Sequence, residues 1–159
     1  MRIRLGTAQV GDIRRLAELL GILFRQERDF HPDARKQAAG LRRIRREPRL
    51  GRIFTARADG TLVGMVILLF SVSTAEGGAA AWLEDLVVDP AWRGRGIGTQ
   101  LIKNAIAYAR RRRFKRVTLL TDRSNRRVLS FYRRTGFRVS TMVPLRLPLR
   151  DQEPPFPSR

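Results

Sequence analysis

With 159 residues, 43% of them hydrophobic, the chain is long enough for one domain with a sizeable core, and disorder throughout is excluded. There is no cysteine and His31 is the single histidine, which excludes disulfides, thiolate metal sites, cysteine nucleophiles, histidine-rich metal centres and any two-histidine mechanism. Thirty-three Lys and Arg against 14 Asp and Glu leave a formal charge of +19, a balance that attracts anions of every kind, from phosphorylated small molecules to nucleic acid and acidic protein surfaces.

Met1 to Leu5 alternates Arg2, Ile3, Arg4, Leu5, as a strand with one buried side does. Asp12 can cap the next element, in which Ile13, Leu16, Ala17, Leu20, Leu23 and Phe24 recur at helical spacing; a helix is predicted from Asp12 to about Arg28. Phe30-His31-Pro32-Asp33 breaks it. A second, weaker helix follows from Ala34 to Arg46, with Leu41 and Ile44 as apolar contacts, and Pro48 stops it. Arg52 to Ala58 and Leu62 to Ser73 read as strands joined by Asp59-Gly60, a hairpin turn. The second is apolar on both sides through Met65 to Phe70, as a central strand is. That run is also the longest apolar stretch, far too short to cross a membrane. With no signal-peptide shape at Met1, a cytoplasmic protein with no membrane partner is expected.

Thr74 to Ala80, with Gly77-Gly78, reads as a loose connection, and Trp82 to Asp89 as a strand that Asp89-Pro90 ends. Arg93-Gly94-Arg95-Gly96-Ile97-Gly98 then leads into an amphipathic run from Thr99 to Arg112. Strand, glycine loop and helix can hold a phosphate, because a helix start offers unpaired N–H groups and the positive end of its dipole. Glycines let several N–H groups turn toward one anion with no side chain in the way. A tight turn needing positive φ is the plainer alternative. No Gly-Lys-Ser/Thr follows, so this is not a Walker loop, and the Gly-x-Gly-x-Gly spacing is not a dinucleotide fingerprint. Val117 to Thr121 is predicted as a buried strand, Asn125 to Arg134 as a helix with Gly136 as C-cap, and Phe137 to Leu149 as one or two strands around Pro144. Asp151 to Arg159, with three prolines, is expected to be a disordered tail.

The Arg93 to Gly98 stretch resembles the Arg/Gln-x-x-Gly-x-Gly/Ala signature of the GNAT N-acetyltransferase superfamily, which binds the pyrophosphate of acetyl-coenzyme A there. A second stretch, Asn125 to Phe137, is similar to the family's Asn-x-x-Ala-x-x-Phe-Tyr-x-x-x-Gly-Phe, with Val128 in place of the usual alanine. The resemblance covers Arg2 to about Leu149 in element order. It implies an α/β (α+β) GNAT fold: one domain over residues 1–150, with a mixed sheet of about six to seven strands flanked by about four helices. Acetyl-CoA is the implied cosubstrate, with no metal. The N–H groups from Arg95 through Gly96, Ile97 and Gly98 to Thr99 would cradle its pyrophosphate, and the side chains of Arg93 and Arg95 would add charge beside Gly94. A bulge in the preceding strand would lay Leu86, Val87 and Val88 along the pantetheine arm, with a backbone N–H near the thioester oxygen. Asn125 would meet the arm, unless it is only a helix start, and Arg126 or Arg127 the nucleotide phosphates.

Acetyl transfer to an amine also needs a proton taken from the ammonium and one given to the departing thiolate. Tyr132, neutral near pH 7, is the implied donor; the alternative is a core tyrosine beside Phe131 and Phe137. For the base, Glu84 and Asp85 are neighbours on a strand, so they are expected on opposite sides, and only one would address the acceptor. Leu83 to Val88 resembles the diamine and aminosugar-phosphate members of the superfamily, where the glutamate is the usual candidate; an ion pair with an arginine, or ordered water as the proton path, stays open. His31 sits in a region that lines the acceptor pocket in this family. The run Arg110 to Arg113 complements a helix C-terminus without any ligand, and its few aromatic neighbours speak against an RNA-stacking surface. The reading is an N-acetyltransferase moving acetyl directly from acetyl-CoA to a primary amine in a ternary complex. A homodimer through the last strands is common in the superfamily. A silent acyl-CoA-binding regulatory module and a basic nucleic-acid-associated protein are the competing classes.

Overall fold

The computed structural model describes residues 1–27 and 30–149; the tail expected over Asp151–Arg159 and the helix end expected near Arg28 lie outside the described residues. Five strands form one sheet in the order β1 (Ile3–Thr7), β2 (Gly51–Ala58), β3 (Thr61–Ser73), β4 (Gly78–Val88) and β5 (Arg116–Thr118). The first four pair antiparallel and β5 runs parallel to β4. Four helices accompany them: α1 (Ile13–Phe24), α2 (Ala34–Arg46), α3 (Ile97–Arg111) and α4 (Arg126–Arg134). The β2–β3 hairpin turns on Asp59 and Gly60, with φ of 46° and 89°, the two left-handed residues that a tight antiparallel turn requires.

The sheet separates two apolar layers. On one side Leu16, Leu19 and Leu20 of α1 and Leu41 of α2 bury Ile53, Met65, Ile67 and Val87. On the other, Ile97, Leu101, Ile102 and Ala105 of α3 bury Phe54, Val63, Val66 and Leu83, with Phe131 and Tyr132 of α4 packed at the rim. The central strand β3 feeds both layers, which is why its sequence is apolar at consecutive positions. Gly64 lets α3 come close: a Cβ there would sit 3.1 Å from Leu101 Cδ1 and 3.1 Å from Val87 O.

Several boundaries differ from the sequence reading. Asp12 does not cap α1; its carboxylate accepts from Gln9 N (2.8 Å) and pairs with Arg57 on β2, so it anchors the helix to the sheet. Asp33 does cap α2, accepting from Arg35 N and Lys36 N. β4 starts at Gly78, inside the stretch expected to be loose. Residues 137–149 form no strand, so the sheet has five members rather than six or seven. A strand exists only through its ladder, and the alternation Val143, Leu145, Leu147 pairs with neither edge of the sheet; all three are exposed.

The end of α3 is costly in one place. Phe114 N bonds back to Ala109 O (2.9 Å) across Arg113, which takes φ +57°, the left-handed cap usually held by glycine. Arg113→Gly is therefore expected to stabilise the fold by about 1 kcal/mol. In a melting curve that is a rise of roughly 2–4 °C. Gly136, with φ +99° and Phe137 N bonded to Tyr132 O, already closes α4 in the same way.

Candidate active site

The glycine loop has a backbone form that suits an anion. Gly94 and Gly96 take φ of 76° and 74°, so alternate residues are left-handed and the intervening N–H groups turn toward one side. A Cβ at either glycine would meet nothing within 4 Å; the conformation, not lack of room, requires them. No side chain caps α3, whose first four N–H groups therefore remain available to an anion. Asp89 positions the loop: its carboxylate accepts from Ala91 N (3.0 Å) and pairs with Arg15, whose Nε donates to Leu62 O (3.2 Å). The two loop arginines turn back onto the protein. Arg93 Nε donates to Val88 O (3.0 Å), and the Arg95 guanidinium lies 4.9 Å above the Trp92 ring. Backbone groups, with the arginines as flanking charge, line the cradle.

β4 carries the bulge. Met65 pairs with Val87 and Ile67 with Glu84, so Val66 alone on β3 opposes two residues on β4, Asp85 and Leu86. Asp85 occupies the irregularity with φ +54°, a conformation that Asp tolerates better than most residues. Leu83 and Leu86 both pack into the α3 layer, three residues apart instead of two. The acids between them are thus displaced together to the α1–α2 side, which corrects the expectation of opposite sides. β5 pairs only with Ala80, Ala81 and Trp82, so beyond Trp82 the sheet opens along β4.

Burial pushes the Asp85 carboxyl up to about 7, and the charges of Glu84 and Glu27 add to the shift. Burial also raises Glu84, while Arg146 opposes it. Tyr132 is pushed up to about 12, first by burial and then by Glu27 and Glu84, so its hydroxyl stays protonated. Its ring is fixed between Phe131 (centroids 5.3 Å) and Phe137 (5.8 Å). Asn125 is the cap of α4: its Oδ1 accepts from Val128 N (3.1 Å), leaving the amide nitrogen as the group for a ligand. Arg126 and Arg127 follow in the first turn, where cations oppose the helix dipole and an anion nearby would relieve them.

A cavity of about 260 Å³ opens between α1, α2 and the bulge. Leu20, Leu41 and Ile67 line its depth, Phe24, Phe30 and Ile44 its walls, and Asp85 and His31 also border it. The Phe24 and Phe30 rings meet tilted at 45° with centroids 5.7 Å apart, and the Arg146 guanidinium covers Phe30 at 5.7 Å. Sequence reasoning did not single out Glu27, Gly40, Arg15 or Arg146. Gly40, a glycine inside a helix, was the one legible signal, since such a residue costs about 1 kcal/mol relative to Ala unless something needs the space.

A family profile described as the acetyltransferase (GNAT) family matches residues 14–137. The chain is 30% identical over 138 residues to a glucosamine 6-phosphate N-acetyltransferase of Trypanosoma brucei brucei, covering 86% of this chain and 89% of that protein. An uncharacterized N-acetyltransferase of Methanocaldococcus jannaschii is 37% identical over 91 residues, which is 57% of this chain but only 40% of that protein. Among solved structures, an acetyltransferase of Trypanosoma brucei superposes with a TM-score of 0.74 at 28% identity, over 93% of this chain and all of the other.

Proposed function

The chain belongs to the acetyltransferase (GNAT) family, and from that premise we propose that it transfers acetyl from acetyl-CoA directly to a primary amine bound beside Asp85. One observation carries the reading: an uncapped helix start behind two left-handed glycines lies at the end of a strand whose bulge presents half-buried carboxyls. Bound there, acetyl-CoA would supply the activated acetyl thioester. The loop from Arg95 to Thr99 would hold a pyrophosphate, Arg126 or Arg127 a nucleotide phosphate, and Asn125 Nδ2 the pantetheine arm. Leu86, Val87 and Val88, beyond the reach of β5, would offer backbone groups to the arm, other than the Val88 O that Arg93 engages, and one N–H to the thioester oxygen.

Asp85 takes the proton from the ammonium, being the acid displaced to about 7, near the optimum for a general base at neutral pH. Glu84 keeps the site negative within a strongly positive protein and so favours a cationic acceptor. As the N–C bond forms and the C–S bond breaks, Tyr132 hydrogen-bonds the departing sulfur. Its pKa lies above a thiol's about 8.5, so it passes on the proton released by nitrogen rather than remaining ionised. The net reaction converts an ammonium and a thioester to an amide, a thiol and one free proton.

Calorimetric titration with acetyl-CoA, followed by free-thiol release over an amine panel, tests the reading. Binding with turnover is expected. Binding without turnover of any amine would instead make the chain an acyl-CoA-binding module, and no binding would remove the role given to the loop. Gly96→Val sharpens the first step. A β-branched residue at φ +74° costs about 1–2 kcal/mol, whether as lost stability or as a rearranged cradle. Acetyl-CoA affinity is expected to fall by about five- to thirtyfold through the rearranged loop, each 1.4 kcal/mol being a factor of ten.

The reading extends to a homodimer. Met142, Leu145 and Leu147 are each more than 80% exposed, in a run with strand-like alternation, and the last strand of the sheet, β5, is an edge. Sedimentation equilibrium is expected to give twice the 18.2 kDa chain mass, and a monomer at micromolar concentration would remove this part of the reading.

A further inference from the structure

We propose that the acceptor is a small primary amine carried on an apolar group of about one ring, rather than a sugar phosphate or a polyamine. The inference rests on the acetyltransferase reading and concerns the cavity beside Asp85. Leu20, Leu41 and Ile67 close its depth at 3% exposure or less, and Phe24, Phe30 and Ile44 complete the walls. Of the polar residues that border it, Asp33 and Gln37 are occupied by the protein itself, while His31 and Lys36 are exposed to solvent. Asp33 accepts from Arg35 N (3.0 Å) and Lys36 N (3.1 Å), and its other oxygen lies 3.9 Å from Lys36 Nζ. The Gln37 amide, oriented with its nitrogen toward Ala17 O (3.2 Å) and its oxygen toward Asp33 N (3.1 Å), ties α2 to α1.

A sugar's hydroxyls entering this cavity would leave water and meet carbon. Each hydroxyl buried without a partner costs about 1–3 kcal/mol. An alkyl or aryl group gains from the same walls. Asp85 borders the cavity, with the Glu84 charge acting on it from the neighbouring position, and supplies the attraction for an ammonium, so charge and apolar surface together describe an amphipathic cation. The size agrees. An apolar cavity of about 150 Å³ holds benzene, and drug-sized ligands need roughly 300–1,000 Å³. At about 260 Å³ the cavity takes one ring with a short aminoalkyl arm.

Gly40 offers a variant that tests the cavity without touching the cradle. It borders the cavity from α2, and a Cβ there would meet nothing within 4 Å. Leucine is also a better helix former than glycine, so Gly40→Leu is expected to fold while filling the space. Acetyl-CoA binding is measured first, then thiol release with phenethylamine, benzylamine, spermidine and glucosamine 6-phosphate. Support is a kcat/KM for one of the two aryl amines at least tenfold above the other acceptors, together with a KM for it that Gly40→Leu raises at least tenfold while acetyl-CoA affinity holds. Preference for spermidine or glucosamine 6-phosphate, turnover of none of the four, or a KM unmoved by Gly40→Leu would overturn the inference, with acetyl-CoA binding still standing for the family reading. Failure to bind acetyl-CoA would overturn the underlying reading and this inference with it.

Discussion

Tyr132→Phe is expected to lower kcat by about 10²–10⁴-fold, the range for loss of a positioned proton donor, while acetyl-CoA affinity stays nearly unchanged. The substitution removes one oxygen and keeps the ring that Phe131 and Phe137 hold in place, so neither α4 nor its packing on α3 should alter. Single-turnover thiol release separates the two effects, because loss of the donor slows the chemical step and not the binding. The donor's high pKa adds a second signature. With the hydroxyl protonated to about 12, the wild-type rate should show no loss from Tyr132 ionisation up to pH 9. An unchanged kcat in the variant would remove Tyr132 from the mechanism and leave it a core tyrosine.

Asp85→Asn is expected to reduce kcat/KM by about 10²-fold or more, the low end for a general base, and to abolish a rise in rate with pH centred near 7. A base works only when deprotonated, so the wild-type rate climbs through that midpoint and levels off above it. Glu84→Gln should leave the rise in place and move it to lower pH, because the Glu84 charge is one of the forces holding the Asp85 carboxyl up. Stability should respond in the opposite sense to activity. The folded carboxyl titrates near 7 and the unfolded one near 3.8, so the fold prefers the protonated form. That contribution is complete below pH 3.8, declines as pH rises through 7, and is absent above. Asp85→Asn should therefore raise Tm at pH 8 and change it little at pH 4. Asparagine also tolerates the left-handed backbone of the bulge, so the geometry survives the exchange. An unaltered pH profile in Asp85→Asn would assign the proton to Glu84 or to water.

These two residues also mark where the sequence could and could not be read. Tyr132 was legible because Phe131, Tyr132, Gly136 and Phe137 sit at fixed offsets within one helix and its cap, and such local spacing survives folding. The same holds for Asp59-Gly60, and for Gly94 and Gly96, whose positive φ follows from the turn each must make. Periodicity in Ile13 to Phe24 and in Ile97 to Ala109 gave both helical layers for the same reason: a helix is a contract among residues three and four apart. Asp85 was a different matter. Alternation along an ideal strand sends it away from Glu84, and only the register of β4 against β3 inserts the extra residue that displaces both acids together.

The cavity beside Asp85 likewise depends on α1, α2 and the bulge meeting, three segments far apart in the chain. Arg93 and Arg95 looked like free charges until Val88 O and Trp92 engaged them. The strand pattern over residues 137–149 found no neighbouring edge and made no ladder. Sequence alone therefore determined the turns, the helices, the family and the left-handed glycines of the loop before α3, all set by neighbours within a few residues. The tertiary structure decided the relation of the two carboxyls, the partners of the loop arginines and the shape of the cavity beside Asp85, because register and long-range packing have no local code.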